Sequence, residues 1–195
     1  MYFKICIIGF VVLASCQNEK EEKIRTFVKY YEASKGSDRE AIWEYAADTV
    51  WVWFESKENE LSLRYQGKPK SKWGEWDEVM NATSNYDSIW FNYEENTVKG
   101  IFYENNDFYK LIGASANKTL RTYFLDEHLK ISGILYQRIP TENSISDKHM
   151  QPIVDWALEN ESLEIAELYP NNEFVPSTEN AFRWKKLLER YSNAK

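Results

Sequence analysis

Histidine, cysteine and glycine are scarce in this chain of 195 residues, numbering two, two and seven. The two histidines, His128 and His149, are far apart and make no His-x-x-x-His spacing, which argues against a zinc site. The same scarcity removes the base that a Ser-His-Asp or Cys-His nucleophile needs. The glycines are scattered and form neither Gly-x-Ser-x-Gly nor a phosphate-cradling loop, so no nucleotide cofactor is implied. Nor does any Lys/Arg block offset the net charge of −7, which argues against a nucleic-acid partner. Lys68, Lys70 and Lys72, interleaved with Pro69 and Ser71, read as the solvated start of a helix.

Both cysteines lie in the first sixteen residues. Lys4 supplies a positive start, and Ile5–Leu13 is an apolar run, too short for a bilayer span of roughly 20 residues. The run ends in Leu13-Ala14-Ser15-Cys16, small residues followed by a thiol. This resembles a bacterial lipoprotein signal peptide, residues 1–15, with those four residues as its lipobox. The resemblance implies cleavage before Cys16, lipidation of Cys16 and attachment to a membrane of the cell envelope. Gln17, rather than aspartate, then favours the outer membrane. Cys6 leaves with the leader and Cys16 carries lipid, so no disulfide is expected and stability must come from the core. Residues 16–23 read as a charged, mobile tether.

Ile24, Phe27, Val28 and Tyr31 have the spacing of one helical stripe, ended by Gly36. Ser37-Asp38-Arg39-Glu40 reads as a capping box for a second helix closing at Asp48. Thr49–Phe54 is strand-like, with Val50, Val52 and Phe54 on one face and Trp51 and Trp53 on the other, which predicts burial on both sides. Leu61–Tyr65 is a further strand candidate, and Pro69 opens a third helix running to about Asn81. Four strand-like runs follow, Ser88–Glu94, Thr97–Glu104, Phe108–Ala114 and Thr119–Ile139, the last broken by a turn at Asp126–Lys130. They predict an antiparallel meander. After Pro140, helices are expected over His149–Asn160, Leu163–Tyr169 and Thr178–Tyr191.

This element order is α+β. From Ile24 to Ile139 the chain resembles the NTF2-like family, with its SnoaL-like and ketosteroid-isomerase-like branches. The likeness rests on Phe27–Tyr31, Ser37-Asp38, Asp48-Thr49-Val50-Trp51, Gly67 and the run Phe124–Ile131. It implies a cone, a curved antiparallel sheet wrapped around three N-terminal helices with a pocket inside, over residues 24–140. Residues 141–195 form a C-terminal helical extension beyond the family pattern, able to pack on the domain, cover the cone's mouth or meet a partner.

Enzymes of that fold need a carboxylate or imidazole in an apolar interior and a donor for developing negative charge. Asp77, beside Trp73 and Trp76, is the candidate base. Tyr103, Arg121 and Tyr123 are candidate donors if their strand faces point inward. The family's catalytic Asp and Tyr, and its His–Asp pair, have no matching positions here. Eight tryptophans in a chain that is 16% aromatic also suit a wall for a flat or apolar ligand, or simply a bulky core. Trp53, Trp73 and Trp76 are the candidate wall. The first reading is therefore an anchored protein that binds a small apolar, aromatic or sugar ligand, or a partner, without a recognisable catalytic apparatus. The second is a proton-transfer enzyme with Asp77 as base. The third is a structural module, dimeric through the outer face of its sheet.

Overall fold

Helical periodicity from Ile24 onward continues one long N-terminal helix. In the computed structural model, which describes residues 3–35, 39–55, 57–58, 63–66 and 72–195, α1 runs Phe3–Lys35. The tether expected at residues 16–23 lies inside it. Glu and Lys are good helix formers, and Glu19 and Lys23 pair one turn apart at 2.7 Å. Among the described residues no helix is long and apolar enough to cross a membrane.

The second helix is a 3₁₀ turn, Arg39–Glu44, and strand β1 begins early, at Ala46, running to Phe54. Sheet pairing explains this: Ile131 N–H donates to Tyr45 O at 2.8 Å, and Ala46 pairs with Ile131. Gly36, Ser37 and Asp38 of the expected cap, and Gly67 and Pro69, lie outside the described residues. Strand β2 is Leu63–Gln66 and helix α2 is Lys72–Val79. Then come β3 (Thr83–Asn92), β4 (Thr97–Asn105), helix α3 (Asp107–Leu111), β5 (Asn117–Leu125) and β6 (Ile131–Arg138). Three helices close the chain: α4 (Asp147–Asn160), α5 (Ser162–Leu168) and α6 (Thr178–Asn193).

The α+β class predicted from the sequence is what forms, with one strand replaced. Phe108–Ala114 is not a strand, because Asn106 caps a helix there: its side-chain oxygen accepts the Tyr109 N–H at 2.9 Å. Gly113, at φ +74°, ends the segment in a conformation that costs other residues energy. The sheet order is β2-β1-β6-β5-β4-β3. It is not wholly antiparallel: β1 runs antiparallel to β2 but parallel to β6, with a register shift between Ala46 and Trp51 that bends the strand.

The chain gathers into two units. The first takes residues 1–68, 87–101 and 120–137, and the second 69–86, 102–119 and 138–195. Neither follows a boundary at Pro140. In the first unit α1 sets Phe27, stacked on Tyr31, against Tyr123 of the sheet, with Phe27 4.7 Å from Tyr123 between ring centres. In the second unit α2 and α3 pack with α6, and α6 with α4 and α5. Helix three thus joins the C-terminal extension in one core built on Trp76, Phe108, Ile153, Leu168 and Trp184.

Strand β1 is not buried on both sides. Trp51 is 40% exposed and Trp53 half-buried, and the two rings stack 6.4 Å apart. The Trp53 ring lies against Gly133: a Cβ there would come within 2.5 Å of it. Gly133→Ala should therefore displace Trp53 and cost about 1–3 kcal/mol. In a Trp53→Ala background the same change should be nearly free, and a denaturation double-mutant cycle checks the coupling.

Candidate functional site

Alternation along β5 puts Arg121 and Tyr123 on one face and Phe124 on the other. The Arg121–Tyr123 face meets α1: Tyr123 touches Phe27, and its ring stands edge-on to Tyr30 at 6.2 Å. Both side chains are buried. The Arg121 guanidinium lies 4.8 Å from the centre of the Tyr136 ring and hydrogen-bonds the Tyr123 hydroxyl. Burial pushes the Tyr123 phenol well above its ordinary range, and Arg121 partly offsets this. Tyr136 stacks on Phe54 at 5.7 Å, and these two, with Tyr30, are half-buried. Arg121 and Tyr123 are thus buried beside the half-buried rings of Tyr30, Phe54 and Tyr136. Neutral phenol and planar cation together offer donors amid apolar rings.

Trp53 belongs to the opposite face. It meets Phe124 edge-on at 5.7 Å, and Lys57 Nζ lies 3.6 Å from the Phe124 ring centre and 5.3 Å from that of Trp53. Arg64 covers Trp51 at 5.4 Å. These cations and rings clothe the sheet's other face; Trp53 does not stand with Arg121 and Tyr123.

The remaining candidates fall in the second unit. Trp76 is 3% exposed and enclosed by Trp73, Phe108 and Phe174 at 5.9–6.1 Å, which makes it core rather than wall. Trp73 is largely exposed. Asp77 is half-buried on α2, its main-chain oxygen accepting the Ala82 N–H at 2.9 Å. Tyr103 does not point inward: it alternates with the fully buried Phe102, and Lys118 Nζ covers its exposed ring at 5.2 Å. So Arg121 and Tyr123 stand together, whereas Asp77, Trp73, Trp76 and Tyr103 belong to another unit.

The carboxylate with the strongest environment is Asp107, which the sequence did not single out. It accepts hydrogen bonds from Lys185 at 2.8 Å, Asn81 at 2.6 Å and Lys110 at 3.2 Å, and the Lys185 bond leads in holding its pKa down to about 2. Lys185 also donates to Val79 O at 2.6 Å, so this cluster ties α2, α3 and α6 together. Among the described residues no group of three or more His, Cys, Asp or Glu could hold a metal ion. Of the groups the sequence reading missed, Tyr30 follows Phe27 by three helical positions, and Tyr136 shares strand parity with the buried Ile134. Both were findable by spacing alone.

No family model and no curated protein matches this chain. Solved structures do match, and they include NTF2-like and cystatin-like folds. A cystatin-like protein of unknown function from Methylobium petroleophilum PM1 is 11% identical over 65% of this chain and 82% of its own, with a TM-score of 0.48. A Mycobacterium tuberculosis protein solved in complex with estradiol-17beta-hemisuccinate is 14% identical, over 59% of this chain and 92% of its own, at a TM-score of 0.43. An NTF2-like protein of unknown function from Shewanella baltica is 12% identical, over 62% and 94%, at 0.34.

Proposed function

We propose that this chain is a lipoprotein of the bacterial cell envelope, anchored through Cys16, whose first unit binds a small ligand with an aromatic or apolar body. The observation that carries the binding reading is the buried Arg121–Tyr123 pair beside the half-buried rings of Tyr30, Phe54 and Tyr136. A few placed donors in an aromatic surround are what orients such a ligand. A ketone, ester or hydroxyl oxygen on the ligand would accept from Arg121. Leu13-Ala14-Ser15-Cys16 supports the anchor, and Gln17 supports the outer membrane. No proton-transfer step is assigned to Asp77, which belongs to the other unit.

Native mass spectrometry of the purified protein should show a bound small molecule, and titration with a panel of steroids and polycyclic phenols should recover binding. Arg121→Met keeps the aliphatic stem but removes the donors, and should weaken binding at least about tenfold. Unchanged affinity in Arg121→Met, with the protein folded, would refute the site.

A further inference from the structure

The lysines that follow Cys16 are fastened to the sheet. Lys23 is 4% exposed. Its ammonium donates to Glu19 at 2.7 Å and to the side-chain oxygen of Asn96, in the β3–β4 turn, at 2.8 Å. It also lies 5.8 Å from the ring centre of Phe91. Lys20 Nζ stands 5.4 Å from the ring centre of Tyr93, whose own ring meets Phe91 edge-on at 5.0 Å. Tyr93 is nonetheless 68% exposed. Three successive contacts therefore fix the β3–β4 hairpin beside the stretch of α1 that begins just after Cys16.

A helix rises about 1.5 Å per residue, so Lys20 stands about 6 Å along the axis from Cys16. The polar layer on each side of a bilayer is about 5–7 Å deep. We infer that the β3–β4 hairpin, led by Tyr93, rests in the phospholipid headgroup layer of the membrane that holds Cys16, and that it fixes the protein's orientation there. The inference rests on the lipid anchor proposed above. Tyrosine suits this layer because its ring is apolar and its hydroxyl is wet. The Lys20 ammonium can reach a lipid phosphate while its stem follows the Tyr93 ring. At the turn Glu95 is paired with Lys99 at 2.9 Å, and Glu94 is exposed. Glu94 and Lys20 carry opposite charges, and that balance makes a zwitterionic phospholipid surface the one that fits.

The test uses the full lipidated protein in phosphatidylcholine–phosphatidylethanolamine vesicles. With Cys6 cleaved away and Cys16 acylated, Glu94→Cys supplies the sole thiol and leaves Tyr93 in place. A nitroxide there should lose collisions with an aqueous nickel chelate by at least about threefold against the same label in a Cys16→Ser form made without residues 1–15, and so without Cys6. A label at Glu127→Cys, in the β5–β6 turn where the Glu127 side chain is 88% exposed, should not change. If the lipidated protein floats with vesicles and the position-94 label stays as open to nickel as in Cys16→Ser, the docked hairpin is wrong and the anchor stands. If the lipidated protein does not float with vesicles, the anchor falls and the docked hairpin falls with it.

Discussion

Trp184→Ala should lower the unfolding free energy by about 3–5 kcal/mol, while Trp184→Phe should cost about 1 kcal/mol. Trp184 is fully buried at the centre of an aromatic cluster. Phe108 meets it edge-on at 5.4 Å, Tyr169 edge-on at 6.0 Å, and Phe174 tilted at 5.4 Å. Truncation to alanine removes a side chain around which three others are arranged. Aromatic geometry adds to the area term, since edge-to-face pairs are worth about 0.5–1.5 kcal/mol beyond burial. The indole N–H has no hydrogen-bond partner in the structure. Buried without a partner, it carries a desolvation cost that phenylalanine lacks, so the substitution gives up little polar energy in that place. Urea unfolding of the two variants checks the contrast. A Trp184→Phe variant as damaged as Trp184→Ala would mean that the indole nitrogen matters more than the packing.

Phe27→Ala should be the costliest change in the other unit, again about 3–5 kcal/mol. Phe27 is fully buried, stacked with Tyr31 at 6.0 Å and tilted against Tyr123 at 4.7 Å. With Tyr30 it is where α1 meets β5, and its ring is the closer of the two. Its loss would also remove the closest ring packed on Tyr123, on the face that carries Arg121, so ligand affinity should fall along with stability. Phe27→Leu should keep most of both. Lys29→Ala, on the exposed side of the same helix, should change unfolding by less than about 0.5 kcal/mol and serves as the control. Equal effects at positions 27 and 29 would show that α1 does not hold the sheet through Phe27.

The residues that were legible in advance are those with a long, regular pattern. Ile153 and Ala157 in α4, and Ala181, Trp184 and Leu188 in α6, repeat at helical spacing, and helices form there. The β5–β6 hairpin was legible from its turn, where Asp126 accepts the backbone N–H groups of His128 and Lys130. Short runs were harder. Phe108–Ala114 holds apolar residues at spacings that fit a strand or a helical turn, and the Asn106 cap decides for the helix. The polar run after Cys16 reads as a tether because composition alone does not show that Lys23 will meet Asn96.

The α+β class, the C-terminal helices, the hairpin turn and the motif at Cys16 were legible in the chain because each depends on residues near one another in it. Tertiary structure decided which face of each strand is covered. That choice put Arg121 and Tyr123 under α1, left Trp51 and Trp53 on the opposite face, and drew Trp76 into a core with Phe174. The physical reason is the same in each case. A strand offers two faces of similar chemistry, and only the element that packs against one of them, supplied from far along the chain, makes the faces different.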